Sequence, residues 1–361
     1  MNNKKKLIFL LPNFTIGGAG NSILNICKNI NYKKYEIFII SLGKNDYKSD
    51  FKKININVLE LKYKKFIFSI SEILFIISKL CKRPGKTILI SNINYSNVLS
   101  CIFFKIIKNL KIILIERTPI QEMDFFCSNF NYLKKKITKL LIFLFYKNAD
   151  IRIGNSSQVS KDLELLCRSK VITITPYIKI IKAKKITNKI KTITWIGRIS
   201  KEKNINDLIL SLKYLDDLKF NLLIITNIKL DLNKYNLNNN IKKRIKILQF
   251  NTIKLNHIYK KTDILVSTSY YEGFPNVVAE AINYNCLIVS SKSFGGISEL
   301  IKNNSYGLTY KVNDIKNLSQ KIRSAINNYR FYKNKTIKAK KNLINLSKNN
   351  NHKYYELFKN L

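Results

Sequence analysis

Short, largely apolar runs, alternating with segments of helical period, constrain this chain most. Runs at 7–11, 37–41, 87–90, 112–115 and 171–174 are separated by amphipathic stretches at 22–30, 66–80, 97–107 and 133–146. A strand with no polar alternation must be covered on both faces. Such strands joined by helices form a parallel sheet with helices on each side.

The alternation stops and starts again. Between 177 and 191 the chain is basic and irregular, with Lys179, Lys182, Lys184, Lys185, Lys189 and Lys191. Beyond it lie strands at 193–196, 220–226, 245–249, 263–268 and 287–290. A helix at 205–215 carries Leu208, Ile209, Leu212 and Leu215 on one face. Residues 236–243 read as an Asn/Lys-rich loop and 319–361 as helix. A length of 361 residues suits two domains. The expected fold is α/β, two tandem Rossmann-like domains whose parallel sheets face a central cleft. The first domain is expected at 1–178, a linker at 179–191 and the second domain at 192–340. A helix at 341–361 is suited to packing back on the first domain. Ligands of such sheets bind outside the carboxyl ends of the strands, which makes the cleft the default site.

Composition limits the partners. Sixty-five Lys and Arg against 22 Asp and Glu leave a net charge of +43. This favours an anionic partner: nucleic acid, a phosphorylated small molecule or an acidic bilayer. It does not choose among them, and heavy use of Lys, Asn and Ile is also what A+T-rich coding produces. With two histidines, His257 and His352, a zinc centre or His-dependent triad is not expected. The six cysteines, at 27, 81, 101, 127, 167 and 286, show no CxxC spacing and lie mostly in apolar segments. They read as reduced core residues of a cytosolic protein. The apolar run after Lys4–Lys6 ends at Pro12, too short for an export signal. No apolar run reaches the ~18 residues of a spanning helix.

Four segments could carry chemistry. Ile16-Gly17-Gly18-Ala19-Gly20 follows the first strand; glycines there let backbone approach an anion. Its spacing is not that of a dinucleotide fingerprint. Gly197-Arg198 leaves a strand and Lys203 precedes a helix, so two cations are placed to hold a diphosphate. Glu272-Gly273-Phe274-Pro275-Asn276 opens a helix that contains Glu280, two acids close together in a chain poor in them. Gly295-Gly296 begins the last segment and could offer amides to a phosphate or sugar. Taken singly, each also reads as an ordinary turn, basic loop or exposed helix.

In this order the four segments resemble a family 4 glycosyltransferase of the GT-B fold, most densely over about 190–315 and less over 1–178. The resemblance implies that Arg198 and Lys203 hold the diphosphate of a nucleotide-sugar and stabilise the leaving group. It implies that Glu272 contacts the donor sugar, beside Gly273, Phe274, Pro275 and Asn276, and that Glu280 binds the ribose. Gly18, Gly197, Gly295 and Gly296 would let backbone approach the donor. Glu116-Arg117-Thr118 resembles a segment of bacterial members that build lipid-linked or surface glycans, which places Arg117 near donor or acceptor. Such enzymes retain anomeric configuration and usually need neither metal nor cofactor. The chain departs from the family in having no first-domain His, in Pro176-Tyr177 before the linker and in Thr226-Asn227 after a strand.

The implied partners are a nucleotide-sugar and a glycan or lipid-linked acceptor, with no specific nucleic acid. Two basic, apolar stretches, from Lys62 to Arg83 and from Leu133 to Phe145, suit either an anionic membrane surface or burial against the sheet. The implied location is cytoplasmic, peripheral on the inner face of the inner membrane. Alternatives are a basic nucleic-acid binder, for which no zinc-finger, RNP or KH pattern is visible, and a nucleotide-sugar epimerase of the same fold.

Overall fold

The computed structural model describes residues 4–14, 17–62, 66–125, 128–182, 185–186, 189–250, 254–302 and 304–361. Of the features singled out above, Ile16, Cys127, Lys184 and residues 63–65 lie outside these. The chain divides into two units, Met1–Tyr177 with Asn349–Leu361, and Ile178–Lys348.

The first unit holds seven parallel strands: β1 (Lys5–Leu11), β2 (Tyr35–Ser41), β3 (Asn57–Leu59), β4 (Thr87–Asn92), β5 (Leu110–Glu116), β6 (Ile151–Gly154) and β7 (Ile172–Thr173), in the order β3-β2-β1-β4-β5-β6-β7. Along β1, Ile8 and Leu10 enter a core on one face while Leu7, Phe9 and Leu11 enter a second core on the other. Side chains of a strand alternate between faces, so a run apolar throughout is what two covered faces require. The first core is closed by helices Phe66–Cys81, Asn94–Leu99, Asn129–Phe145 and Ser157–Cys167. Helix Gly18–Lys28 and, from the chain end, Tyr354 and Phe358 close the second. The end of that last helix is held electrostatically as well. Lys5 Nζ donates to the Phe358 and Lys359 carbonyls, where the helix dipole is negative.

The second unit repeats the plan with β8 (Lys191–Ile196), β9 (Phe220–Thr226), β10 (Ile245–Gln249), β11 (Ile264–Ser267), β13 (Leu287–Ser291) and β15 (Leu308–Tyr310), in the order β10-β9-β8-β11-β13-β15. Two-residue strands β12 (Tyr271–Glu272) and β14 (Phe294–Gly295) pair beside it. Ile178, at the end of the stretch expected for the first domain, is buried in the core of this unit, and Ile180 and Ile181, inside the expected linker, pack on it.

Several local expectations needed correction. The helix expected over 97–107 is an α-helix from Asn94 that widens into a π-turn over Ser100–Phe104. Ser100 Oγ donates to the Ser96 carbonyl at 2.8 Å, a bond of the kind that loosens the ladder. The loop at 236–243 contains a helical turn, Asn239–Lys242, whose start is capped by the Asn238 side chain. The tail is two helices, Ile315–Asn327 and Lys333–Asn360. They are broken where Tyr329 and Tyr332 turn in to the core. The described cysteines, 27, 81, 101, 167 and 286, are free thiols. Burial pushes Cys101 up to about 12 and Cys286 to about 11.

Candidate functional site

The strand order of the second unit reverses between β8 and β11, because the chain moves outward through β9 and β10 and then returns to the other side of β8. Loops leaving the carboxyl ends of these two strands diverge, and a crevice opens between them. Gly197, Arg198 and the 3₁₀ turn Lys201–Lys203 leave β8. Thr268 to Glu272 leave β11, and the Phe294–Gly296 turn follows β13.

Hydrogen bonds tie these loops together. Trp195 Nε1 donates to Thr268 Oγ1 at 3.0 Å, and Thr268 Oγ1 donates to the Lys203 carbonyl at 2.7 Å. Tyr270 N donates to the Glu202 carbonyl at 2.8 Å. This network delivers Lys203 Nζ to Glu272 Oε1 at 2.5 Å, and the same oxygen accepts from Ser269 Oγ at 2.7 Å. The pair is only partly exposed, with side chains 24% and 17% accessible. Of the residues expected here, Lys203 and Glu272 are therefore brought into contact.

Arg198 is not. Its side chain is 68% exposed, and Nη2 reaches Glu202 Oε1 at 3.4 Å, a surface pair of little energetic weight. Glu280 is the fifth residue of helix Asn276–Asn283, little more than one turn in. Its Oε2 accepts from Tyr259 OH at 2.7 Å. Burial raises this carboxyl above its ordinary value and pushes the Tyr259 hydroxyl well above its own. Gly273, Phe274 and Pro275 are buried at the mouth of the same helix, and Asn276 starts it.

The glycine pair works differently from the expectation. Gly296 N donates to the carbonyls of Glu272 and Gly273, both at 3.0 Å, so this amide is committed to the protein rather than to an anion. Gly295 has φ +101°, and a Cβ there would lie 1.8 Å from the Glu272 carbonyl oxygen. The two glycines allow β14 to lie against β12 and hold the backbone of Glu272.

Gly18 and Arg117 belong to the first unit. Gly18 begins helix Gly18–Lys28 after β1, behind Gly17, whose amide donates to Tyr47 OH at 3.1 Å. Arg117 follows β5, and its Nε and Nη2 both donate to Asn92 Oδ1, at 3.1 and 2.9 Å. Desolvation lowers the guanidinium's affinity for its proton.

Sequence reasoning named Glu116 and Thr118 beside Arg117 but missed how they are bonded and the more distant groups around them. Glu116 is 1% exposed and accepts from Arg117 N at 2.9 Å, Thr118 Oγ1 at 3.1 Å and Tyr146 OH at 2.9 Å. Burial nevertheless raises its carboxyl. Asn155 Nδ2 donates to the Arg117 carbonyl at 3.0 Å. Ile93, just after β4, holds φ 71° and ψ 142°, a strained conformation for a β-branched residue. One signal was available. Asn92 ends a buried strand and Asn155 follows one, both at the carboxyl edge outside which such sheets bind ligands.

The chain is similar to known glycosyltransferases in sequence and in fold. Residues 177–342 match the family model described as "Glycosyl transferases group 1". The chain is 24% identical over 358 residues to a Campylobacter jejuni "GalNAc-alpha-(1->4)-GalNAc-alpha-(1->3)-diNAcBac-PP-undecaprenol alpha-1,4-N-acetyl-D-galactosaminyltransferase", covering 93% of this chain and 92% of the relative. A second transferase of that organism, "N-acetylgalactosamine-N,N'-diacetylbacillosaminyl-diphospho-undecaprenol 4-alpha-N-acetylgalactosaminyltransferase", is 26% identical and covers 71% of this chain and 72% of its own length. Among solved structures, a glycosyltransferase from Rickettsia africae superposes with a TM-score of 0.79 at 17% identity, covering 99% of this chain and 98% of that one. An Anabaena protein in complex with UDP and glucose superposes with a TM-score of 0.77 at 15% identity, covering 98% and 99%. These structures share the two-domain parallel-sheet fold. The family match and the relatives support a glycosyltransferase.

Proposed function

We propose that this protein is a retaining, metal-independent glycosyltransferase. It moves a hexose or N-acetylhexosamine from a nucleotide-diphosphate sugar to a glycan or polyprenyl-linked acceptor in bacterial surface-polysaccharide or lipid-linked oligosaccharide assembly. The observation that carries this reading is the Lys203–Glu272 contact at the switch point of the second sheet. The names of the two Campylobacter jejuni transferases favour an N-acetylhexosamine and an undecaprenyl-diphosphate-linked acceptor. The UDP bound by the Anabaena protein favours a uridine donor.

The chemistry follows from charge. When the bond between the anomeric carbon and the diphosphate breaks, negative charge grows on the departing oxygen. A cation already fixed there stabilises that charge more than it stabilises the bound donor. An ammonium carries three donors, so Lys203 can keep Glu272 and take a phosphate oxygen as well. Arg198, on the same loop, supplies a planar fork matched to phosphate. Together they bring the positive charge that a divalent ion would otherwise supply. Glu272, anchored by one oxygen on Lys203 and Ser269, turns the other toward the sugar hydroxyls. Glu280, oriented by Tyr259, serves the ribose. Among the described residues no helix is long and apolar enough to cross a membrane. We place the enzyme in the cytoplasm, peripheral on the inner face of the inner membrane.

Turnover of UDP-N-acetylhexosamines with an undecaprenyl-diphosphate-linked acceptor tests the reading. Glu272→Ala and Arg198→Ala should each lower kcat by at least ~100-fold with unchanged thermal unfolding, the scale of losing a fixed electrostatic stabiliser. Near wild-type rates in both variants would refute the site. The anomeric configuration of the product by NMR, and turnover in excess chelator, test retention and metal independence.

A further inference from the structure

Helix Asn129–Phe145 of the first unit is apolar on two opposite sides. Inward, Ile142 is buried in the core against the sheet, with Leu141 and Phe145 packed beside it. Outward, Phe130, Leu133, Ile137, Leu140 and Leu144 are between 42% and 67% exposed. Their spacing of three, four, three and four residues aligns them along one narrow stripe of a helix. A sheet-covering helix needs only its inner stripe, so the outer one has no packing reason within this unit. Other segments that cover the same face of the sheet also expose apolar side chains. Phe75 is 69% exposed on helix Phe66–Cys81, and Ile106, just beyond the π-turn, is 77% exposed.

The charges beside the stripe indicate what covers it. The helix carries Lys134, Lys135, Lys136 and Lys139 and no acidic residue. At a helical period Lys134 and Lys136 fall on opposite margins of the stripe, each about 80° from its centre. Lys134 Nζ lies 4.2 Å from the Phe130 ring centre. Asp124 accepts from Lys136 and Lys139 and offsets part of this charge from outside the helix. A second copy of the chain would bring lysine margins against lysine margins. A phosphate-bearing bilayer presents both things the face lacks, an apolar interior for the stripe and anions at the depth of its margins.

We infer that the outer face of helix Asn129–Phe145 docks the protein in the plane of an anionic lipid bilayer. The stripe enters the headgroup–acyl boundary and Lys134 and Lys136 reach phosphates. This rests on the surface of the first unit and not on the reaction proposed above.

The triple variant Leu133→Ser/Ile137→Ser/Leu140→Ser tests it, because it alters exposed side chains and leaves the net charge unchanged. Full-length protein should float with vesicles of phosphatidylglycerol mixed with phosphatidylcholine, and not with phosphatidylcholine alone. The variant should partition at least about tenfold less, with unchanged thermal unfolding and unchanged turnover of a water-soluble acceptor. Three results would overturn the inference. The wild-type protein could stay in solution with phosphatidylglycerol vesicles at low salt. The variant could bind them equally well, which would assign binding to diffuse charge. Or the wild type could form a dimer in sedimentation that the variant loses while neither binds vesicles, which would make the face a protein interface. Vesicle binding is read without donor or acceptor, so failure of the reaction and failure of docking are separate results.

Discussion

The carboxyl ends of the two sheets solve the same problem in different ways. In the second unit the chemical groups sit on the loops that leave β8, β11 and β13. They are positioned by bonds between those loops, such as Tyr270 N to the Glu202 carbonyl and Gly296 N to the Glu272 carbonyl. The groups are partly exposed and oppositely charged, as Lys203 and Glu272 are. In the first unit the polar groups are drawn from the ends of β4, β5 and after β6, and much of the cluster is buried. A guanidinium rests on an amide oxygen there, not on a carboxylate. The nearby carboxylate, Glu116, is spent on backbone amides and hydroxyls. One site is charge held in reach of solvent, and the other is a buried polar scaffold under a single arginine.

Three changes sharpen or break that contrast. The largest effect is expected from Gly295→Ala. A methyl 1.8 Å from the Glu272 carbonyl, on a residue with φ +101°, must push β12 and β14 apart. It should cost ~2–4 kcal/mol of stability and lower kcat with it, by denaturant melts and turnover. Wild-type kcat would show that the loop backbone does not position Glu272. Next is Asn92→Ala, which leaves the half-buried Arg117 fork without its acceptor. Denaturation should show a loss of ~1–3 kcal/mol, with kcat/KM reduced about tenfold and partly recovered in Asn92→Asp. An Asn92→Ala enzyme of full stability would mean that Arg117 needs no scaffold.

The smallest effect concerns pH. Burial raises the Glu116 carboxyl in the folded state, so the native protein holds this proton at pH values where the unfolded chain has released it. Stability from this group is therefore greatest in acid and is lost as pH rises from the unfolded carboxyl value through the raised folded one. Glu116→Gln should flatten that part of the melting-temperature profile. An identical slope in both proteins would place the charge elsewhere. The second unit's Glu280, raised by the same cause, should show the same sign.

The halves also differ in what could be read before folding. The positions of Lys203, Glu272 and Glu280 in the fold could be read in advance because their motifs are local. A strand end, a loop and a helix start follow one another within about a dozen residues, and the chemistry rides on that order. Helix boundaries were less legible. The Ser96 and Ser100 hydroxyls that accompany the π-turn, and the tyrosines that interrupt the tail, act through packing that a one-dimensional pattern does not carry. Gly296 looked like an anion site because glycine at a turn has the same appearance whether its amide faces a ligand or a carbonyl. Arg117 was visible and its long-range partners were not, since Asn92 and Asn155 lie 25 and 38 residues away.

By itself the sequence determined the class of fold. Strands that are largely apolar with no polar alternation are stable only between two layers of helices, and the repeat of that pattern gives two such units. It also determined which loops bear charge, +43 in excess overall. Only the tertiary structure decided which charges meet. It set Lys203 on Glu272 and left Arg198 in solvent, buried Glu116 on the Arg117 backbone amide while the guanidinium took Asn92, and turned a second apolar stripe of Asn129–Phe145 outward. The physical reason is range: hydrophobic period is a property of neighbours along the chain, whereas contact and desolvation depend on strand order and helix orientation.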